Sequence, residues 1–226
     1  MNNKLNSVNI DGVKSEFTKD YPAVNPYIFS SLNTGSITVI TGPMFSEKSG
    51  ELIRRISKLE KYGHKRVKAY KPSNDNRFSE DEIVSRMGYK FPATNLSKDL
   101  SNELVKEILK ETESYDVVGF DEVQFFSKNI MKLVEELAFR GKEVFVDGLN
   151  MDYRGKEFGY IGGLMAMSNE VIKLFSFCAV CKSPRGTHTQ RIVNGKPAKS
   201  GPIIALGDTD DYEARCRRCF IPPHKA

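Results

Sequence analysis

Three groups of residues have types and spacings that chemistry uses. The first is Gly42-Pro43-Met44-Phe45-Ser46-Glu47-Lys48-Ser49. It meets the phosphate-loop pattern G-x-x-x-x-G-K-[ST] at Gly42, Lys48 and Ser49 and breaks it at 47, where Glu stands instead of Gly. In such a loop, successive backbone N–H groups and a helix N-terminus aim positive partial charge at an anion, and the lysine adds a full one. Glu47 opposes this in two ways. A Cβ at a position needing positive φ costs roughly 1–2 kcal/mol, and a carboxylate ~5 Å from a phosphate charge costs about 3 kcal/mol at an effective dielectric of ~20. On the pattern alone, an ordinary strand-to-helix turn is the competing reading.

The second group is Asp121-Glu122, at the end of the buried-strand run Tyr115-Asp116-Val117-Val118-Gly119-Phe120. An apolar strand that delivers an acid at its C-terminal tip, behind a phosphate loop, is how a magnesium-ordering aspartate is presented in phosphoryl-transfer enzymes. The adjacent acids suggest a division of labour, with Asp121 near a metal and Glu122 free to take a proton from an attacking hydroxyl. An exposed acidic turn is the plainer alternative. The third group is the pair of knuckles Cys178-Ala179-Val180-Cys181 and Cys216-Arg217-Arg218-Cys219, which hold all 4 cysteines. Two C-x-x-C knuckles can close a tetrahedral zinc site of four thiolates, the stretch between them looping out. Paired redox dithiols are the alternative, but no thioredoxin-like context accompanies them.

Alternating strands and helices position these groups. The β-branched run Ile37 to Thr41 precedes the loop, and Leu52, Ile53, Ile56 and Leu59 keep helical spacing after it. That helix is expected to end near Tyr62-Gly63 with Gly as its C-cap. Arg66 to Tyr70 alternates as a second strand, and the turn residues 72–78 lie beyond its C-terminal end, with Asp75 and Arg77 either ligand groups or loop surface. Ser97 is expected to begin a helix through Leu100, Leu104 and Ile108, and Ile130 to Phe139 forms another, closed by Gly141. Glu143 to Val146 is a further strand, leading into the glycine-punctuated, aromatic stretch 148–159. The order argues for an α/β fold with a largely parallel sheet covered on both faces. Asn194-Gly195 signals a hairpin between the knuckles. Four regions follow: a tail at 1–33, a main domain at 34–175, a cysteine subdomain at 176–220 and a short tail at 221–226.

With 226 residues the chain can bury a sizeable core, and 28% charged against 39% hydrophobic residues describe a globular protein. The net charge of +5 is modest and interspersed, which favours small anionic ligands over nucleic acid. No apolar run reaches the ~18–20 residues a bilayer span needs. The stretch from Met1 to Asn9 lacks a signal-peptide core, so a cytoplasmic location is expected and disulfides are not.

Taken together, residues 36 to 220 resemble the type II thymidine kinases. The resemblance rests on Gly-Pro-Met-Phe-Ser before Lys48, Glu-Leu-Ile-Arg-Arg after it, Asp-Glu-Val-Gln-Phe-Phe at 121–126 and the two knuckles. It implies a P-loop, RecA-like fold with a small zinc subdomain bearing a lasso-like loop. The implied reaction is transfer of the γ-phosphoryl of ATP to the 5′-hydroxyl of thymidine, with Mg2+ and a structural Zn2+. Carried over by position, Gly42 to Ser49 together with Asp121, Glu122, Val123 and Gln124 would bind ATP. Ser49 and Asp121 would hold magnesium, Glu122 would be the base, and Lys48, Asp75 and Arg77 would act on the transferred group. Met44, Phe125, Leu149, Tyr153, Phe158, Thr189, Ile203, Ala205 and Tyr212 would line the thymidine pocket, and Cys178, Cys181, Cys216 and Cys219 would bind zinc. The resemblance also implies a homotetramer inhibited by thymidine triphosphate.

The chain departs from the family pattern at Glu47, where Gly is expected, at Gly50, where Thr or another small residue is usual, and mildly at Tyr153, where Phe is frequent. Glu47 is expected to weaken ATP binding. The alternative to an active kinase is a nucleoside-binding member with little or no turnover. A nucleic-acid module built on the knuckles would need a dense basic face, which the acids near 210–213 do not supply.

Overall fold

The computed structural model describes residues 34–73, 81–204 and 211–226. The expected tail at 1–33 and the candidates Asp75, Arg77 and Ala205 lie outside them. Gly35–Ala226 make up one compact unit.

At its centre six strands run parallel in the order β5-β2-β6-β7-β1-β8. They are β1 (Ser36–Gly42), β2 (Val67–Pro72), β5 (Thr94–Leu96), β6 (Val117–Phe120), β7 (Glu143–Leu149) and β8 (Glu170–Lys173). Side chains alternate between faces along a strand, so a sheet covered on both sides needs apolar residues at successive positions. That is what the strands supply. Val39, Tyr70, Val118, Phe120, Val144 and Val146 pack on one side with helices α2 (Asn102–Glu111), α3 (Asn129–Phe139) and α4 (Ile161–Met167). Their neighbours Ile40, Ala69, Val117 and Phe145 pack on the other with Leu52, Ile53 and Ile56 of α1 (Lys48–Gly63). Ile83 and Phe91, from the hairpin of β3 (Glu82–Val84) and β4 (Lys90–Pro92), complete that second face.

Two helix ends differ from expectation. Helix α1 runs through Gly63 and it is His64, at φ 49°, that takes the left-handed capping conformation. Helix α2 starts at Asn102 rather than at 97, because Ser101 is the N-cap: its hydroxyl accepts from the Leu104 N–H at 3.2 Å. Gly141 does follow α3, at φ 79°. Beyond the main sheet, β9 (His188–Val193) pairs antiparallel with β10 (Lys196–Pro197) and β11 (Tyr212–Arg215). Asn194 and Gly195 form the expected hairpin turn, both with positive φ. Among the described residues no helix is long and apolar enough to cross a membrane.

Candidate active site and cysteine cluster

The loop from Pro43 to Glu47 leaves β1 at the C-terminal edge of the sheet, the edge where open α/β sheets bind ligands. Its path is fixed locally. The Pro43 carbonyl accepts from the Ser46 hydroxyl at 2.8 Å and from the Lys48 ammonium at 3.1 Å, and Lys48 is buried at the first position of α1. A Cβ at Gly42 would stand 2.6 Å from the Leu174 carbonyl oxygen, so only glycine fits there. The Ser49 hydroxyl donates to Asp121 Oδ1 at 2.8 Å, joining the loop to the tip of β6. A hydroxyl and a carboxylate so joined, beside a lysine, match the oxygen donor set that magnesium takes in phosphate sites.

Glu47 sits at φ 60°, ψ 37°, so position 47 does require the left-handed conformation that disfavours a side chain. Its carboxylate turns towards the first turn of the helix. Oε2 is buried without a hydrogen-bond partner among the described residues, 2.9 Å from where a Cβ on Gly50 would stand. The glycine expected merely to loosen that turn therefore makes the room in which the Glu47 carboxylate lies.

Glu122 follows Asp121 in a left-handed conformation, φ 51°, ψ 45°. The Gln124 amide donates to its carboxylate, and Gln124 Oε1 accepts from the Leu149 N–H at 3.0 Å. Two glycines give Gln124 its place: a Cβ on Gly148 would approach its Oε1 to 2.6 Å, and one on Gly159 its carbonyl oxygen to 2.5 Å. The Val123 side chain lies wholly in the core.

Sequence reasoning passed over Asp147, the buried residue of β7 whose Oδ1 accepts from the Glu122 N–H at 3.1 Å. Burial, then the charges of Asp147 and Glu122, hold the Asp121 carboxyl well above the usual carboxylate range. Burial is also the main cause that pushes Asp147 up to about 6. Asn150, whose Oδ1 is buried without a partner among the described residues, was passed over as well. An acid ending an apolar run was the available signal for Asp147, as it was for Asp121.

The expected pocket residues gather in part. The Phe125 and Phe158 rings meet edge to face with centroids 5.7 Å apart, and Lys98 lies over the Phe125 ring at 5.2 Å. The Tyr153 hydroxyl donates to the Gly201 carbonyl at 2.9 Å, and the Arg191 guanidinium lies 5.7 Å from the Tyr153 ring. The Met44 N–H donates to the Thr189 hydroxyl at 3.0 Å, tying the phosphate loop to the small sheet. Tyr212 pairs across that sheet with Arg191. Ile203 is 42% exposed.

The four cysteines converge, each offering a sulfur within 4.8 Å of the rest. Such a four-thiol set fits a tetrahedral metal ion of the zinc type. Burial raises the Cys178 thiol, but hydrogen bonds from the backbone N–H groups of Cys181, Cys216 and Val180 outweigh it and bring it to about 6, favouring the thiolate that ligates.

Compared with known families, residues 35–220 match the family described as thymidine kinase. Among solved structures, the chain is similar to the genome packaging NTPase B204 from Sulfolobus turreted icosahedral virus 2, in complex with sulfate. The identity is 14% and the TM-score 0.43, over 64% of this chain and 76% of that one.

Proposed function

The chain belongs to the thymidine kinase family, and from that premise we propose that it transfers the γ-phosphoryl group of ATP to the 5′-hydroxyl of thymidine. The observation that carries this reading is the Ser49–Asp121 hydrogen bond at the mouth of the loop, with Lys48 on one side and Glu122 on the other. In the proposed reaction the thymidine oxygen attacks the γ-phosphorus, its proton passes to the Glu122 carboxylate, and the bond to the β-phosphate oxygen breaks to release ADP. Ser49 and Asp121 would hold magnesium, which when bound neutralises charge on the phosphate oxygens. Lys48 would leave the Pro43 carbonyl for a phosphate oxygen. Asp75 and Arg77 are assigned to the same group by position in the family pattern.

Thymidine is assigned to the ground between Phe125 and Phe158, Leu149, Tyr153 and the Met44–Thr189 link, where aromatic walls supply burial and main-chain groups supply direction. The cysteine cluster is assigned a structural zinc ion. A homotetramer restrained by thymidine triphosphate, located in the cytoplasm, completes the proposal.

One observation favours a weaker reading, a nucleoside-binding protein of low turnover: the strained backbone of Glu47 and its buried Oε2, without a partner among the described residues. Steady-state phosphorylation of thymidine with ATP and magnesium, beside calorimetric binding of thymidine, separates the two. Turnover supports the kinase; binding without turnover supports the alternative; neither result would sink both.

A further inference from the structure

Asp147 is an odd residue for its position. It lies on β7 between β1 and β6, in register with Ile40 of β1 and one step beyond the Val146–Phe120 pair, and it is fully buried. A carboxylate enclosed in the middle of a parallel sheet opposes folding unless its oxygens are satisfied. Only half of this one is. Oδ1 accepts from the Glu122 N–H at 3.1 Å, whereas Oδ2 has no partner among the described residues, and the carboxyl touches that of Asp121. A valine or leucine there would suit the sheet better, so what sets Asp147 apart is its polar contacts: the Asp121 carboxyl, the nearby Lys48 charge and the Glu122 N–H.

The two residues that follow serve the same acid. Gly148 leaves the space that Gln124 Oε1 fills, and the Leu149 N–H donates to that oxygen at 3.0 Å. The other end of the Gln124 amide donates to the Glu122 carboxylate. Three consecutive positions of one strand thus fix Glu122 at both ends. Asp147 holds its main chain, while Gly148 and Leu149 hold the glutamine that holds its side chain. The main chain needs holding, because at φ 51° Glu122 is in a conformation that a side chain disfavours.

We propose that Asp147 is a positioning residue for phosphoryl transfer, holding the main chain of Glu122 in the left-handed conformation that stations its carboxylate beside the Ser49–Asp121 pair. In this role Asp147 acts through Glu122. The proposal rests on the reading of Glu122 as the general base.

The test compares the wild-type chain with Asp147→Ala, Asp147→Asn, Asp147→Leu and Glu122→Gln, by thymidine phosphorylation kinetics and by hydrogen exchange of the Glu122 amide. Asp147→Ala is expected to lower kcat roughly 100-fold, the scale on which a misplaced catalytic group acts, with both KM values nearly unmoved. Exchange at the Glu122 amide should speed up at least about tenfold. Asp147→Asn keeps an acceptor oxygen and should recover most of both losses. A merely structural role would instead track the melting temperature. Should the alanine variant fail to fold, Asp147→Leu, close in shape and apolar like its neighbours, takes its place.

Unchanged exchange at Glu122 in the alanine variant overturns the proposal, as does an asparagine variant as slow as the alanine one. A normal kcat in Asp147→Ala where Glu122→Gln is inactive overturns it alone. Full activity in Glu122→Gln overturns the reading of the base and this inference with it. If the wild-type chain turns over no thymidine, the exchange result decides whether Asp147 holds Glu122.

Discussion

The phosphate loop and the cysteine cluster each fix a short polar segment, and they do so by different means. The loop hangs from β1, whose Ile37, Val39 and Ile40 are at most 4% exposed within the two core clusters. Among the described residues the cysteine end has no comparable apolar support. Neither cluster includes a residue after Leu174, the strands β10 and β11 are 2 and 4 residues long, and Phe177 and Val180 are 70% and 57% exposed. Geometry at the loop is inherited from packing that would persist if any one polar contact were lost. If the cluster holds the proposed zinc, geometry at the cysteine end rests on the thiols and the ion together, as in small metal domains where ion binding and folding are one event.

Removing the metal is the harshest way to break that contrast. Chelation, or Cys181→Ser, should release the zinc and weaken thymidine binding by more than about 100-fold, since a structural zinc site is worth roughly 10–16 kcal/mol to a small domain. The amide protection of β1, β6 and β7 should persist. Metal analysis, calorimetry and hydrogen exchange on one sample check this, and equal loss of protection in both regions would erase the distinction.

A smaller effect is expected at the loop. With its carboxylate lying over Gly50, Glu47 should cost less than the hundredfold a charge facing the phosphates would impose. Glu47→Gly should lower KM for ATP by about tenfold or less, through loss of the carboxylate's remaining repulsion, and should raise stability by relief of the left-handed strain of roughly 1–2 kcal/mol. An improvement beyond about a hundredfold would mean that the carboxylate does reach the nucleotide.

The smallest effect is on pH dependence. Burial raises Asp147 from its ordinary 3.8 to about 6, so the folded state holds its proton more tightly than the unfolded one. Its contribution to stability is complete below the ordinary value and is lost as pH rises through about 6. Melting of the magnesium-free and nucleotide-free protein should therefore fall across that window, the raised Asp121 adding a decline of the same sign, and Asp147→Asn should lessen the fall. A decline unaltered in the variant would move its origin to another group.

Much of this architecture was legible because local pattern and global fold agree. Ile37 to Thr41, the loop and the 52-53-56-59 spacing announce strand, turn and helix in order, and Asn194-Gly195 announces its hairpin. The short strands β3, β4, β5 and β8 were not legible, being 3 or 4 residues each and defined by what they lie against. Ser97 misled because a serine before an apolar stripe is an N-cap signal wherever it occurs, and Ser101, nearer the stripe, takes the role. At the site, Asp121 and Glu122 stood out because a phosphate loop preceded them. Asp147 has the same local signature, but its meaning comes from the strand beside it, and lateral neighbours in a parallel sheet are remote in sequence.

The pairing of Glu47 with Gly50 bears on the order in which such a loop can change. Between a loop with Gly at 47 and a side chain at 50 and the one found here lie two single steps. Installing Glu47 first would leave its Oε2 2.9 Å from the Cβ already at 50, so that the flexible end of the glutamate would have to shift from the place it takes here. Installing Gly50 first loosens one helical turn, at about 1 kcal/mol, and crowds nothing. The two residues are therefore coupled through one contact, and reverting either alone is not the same experiment as reverting both.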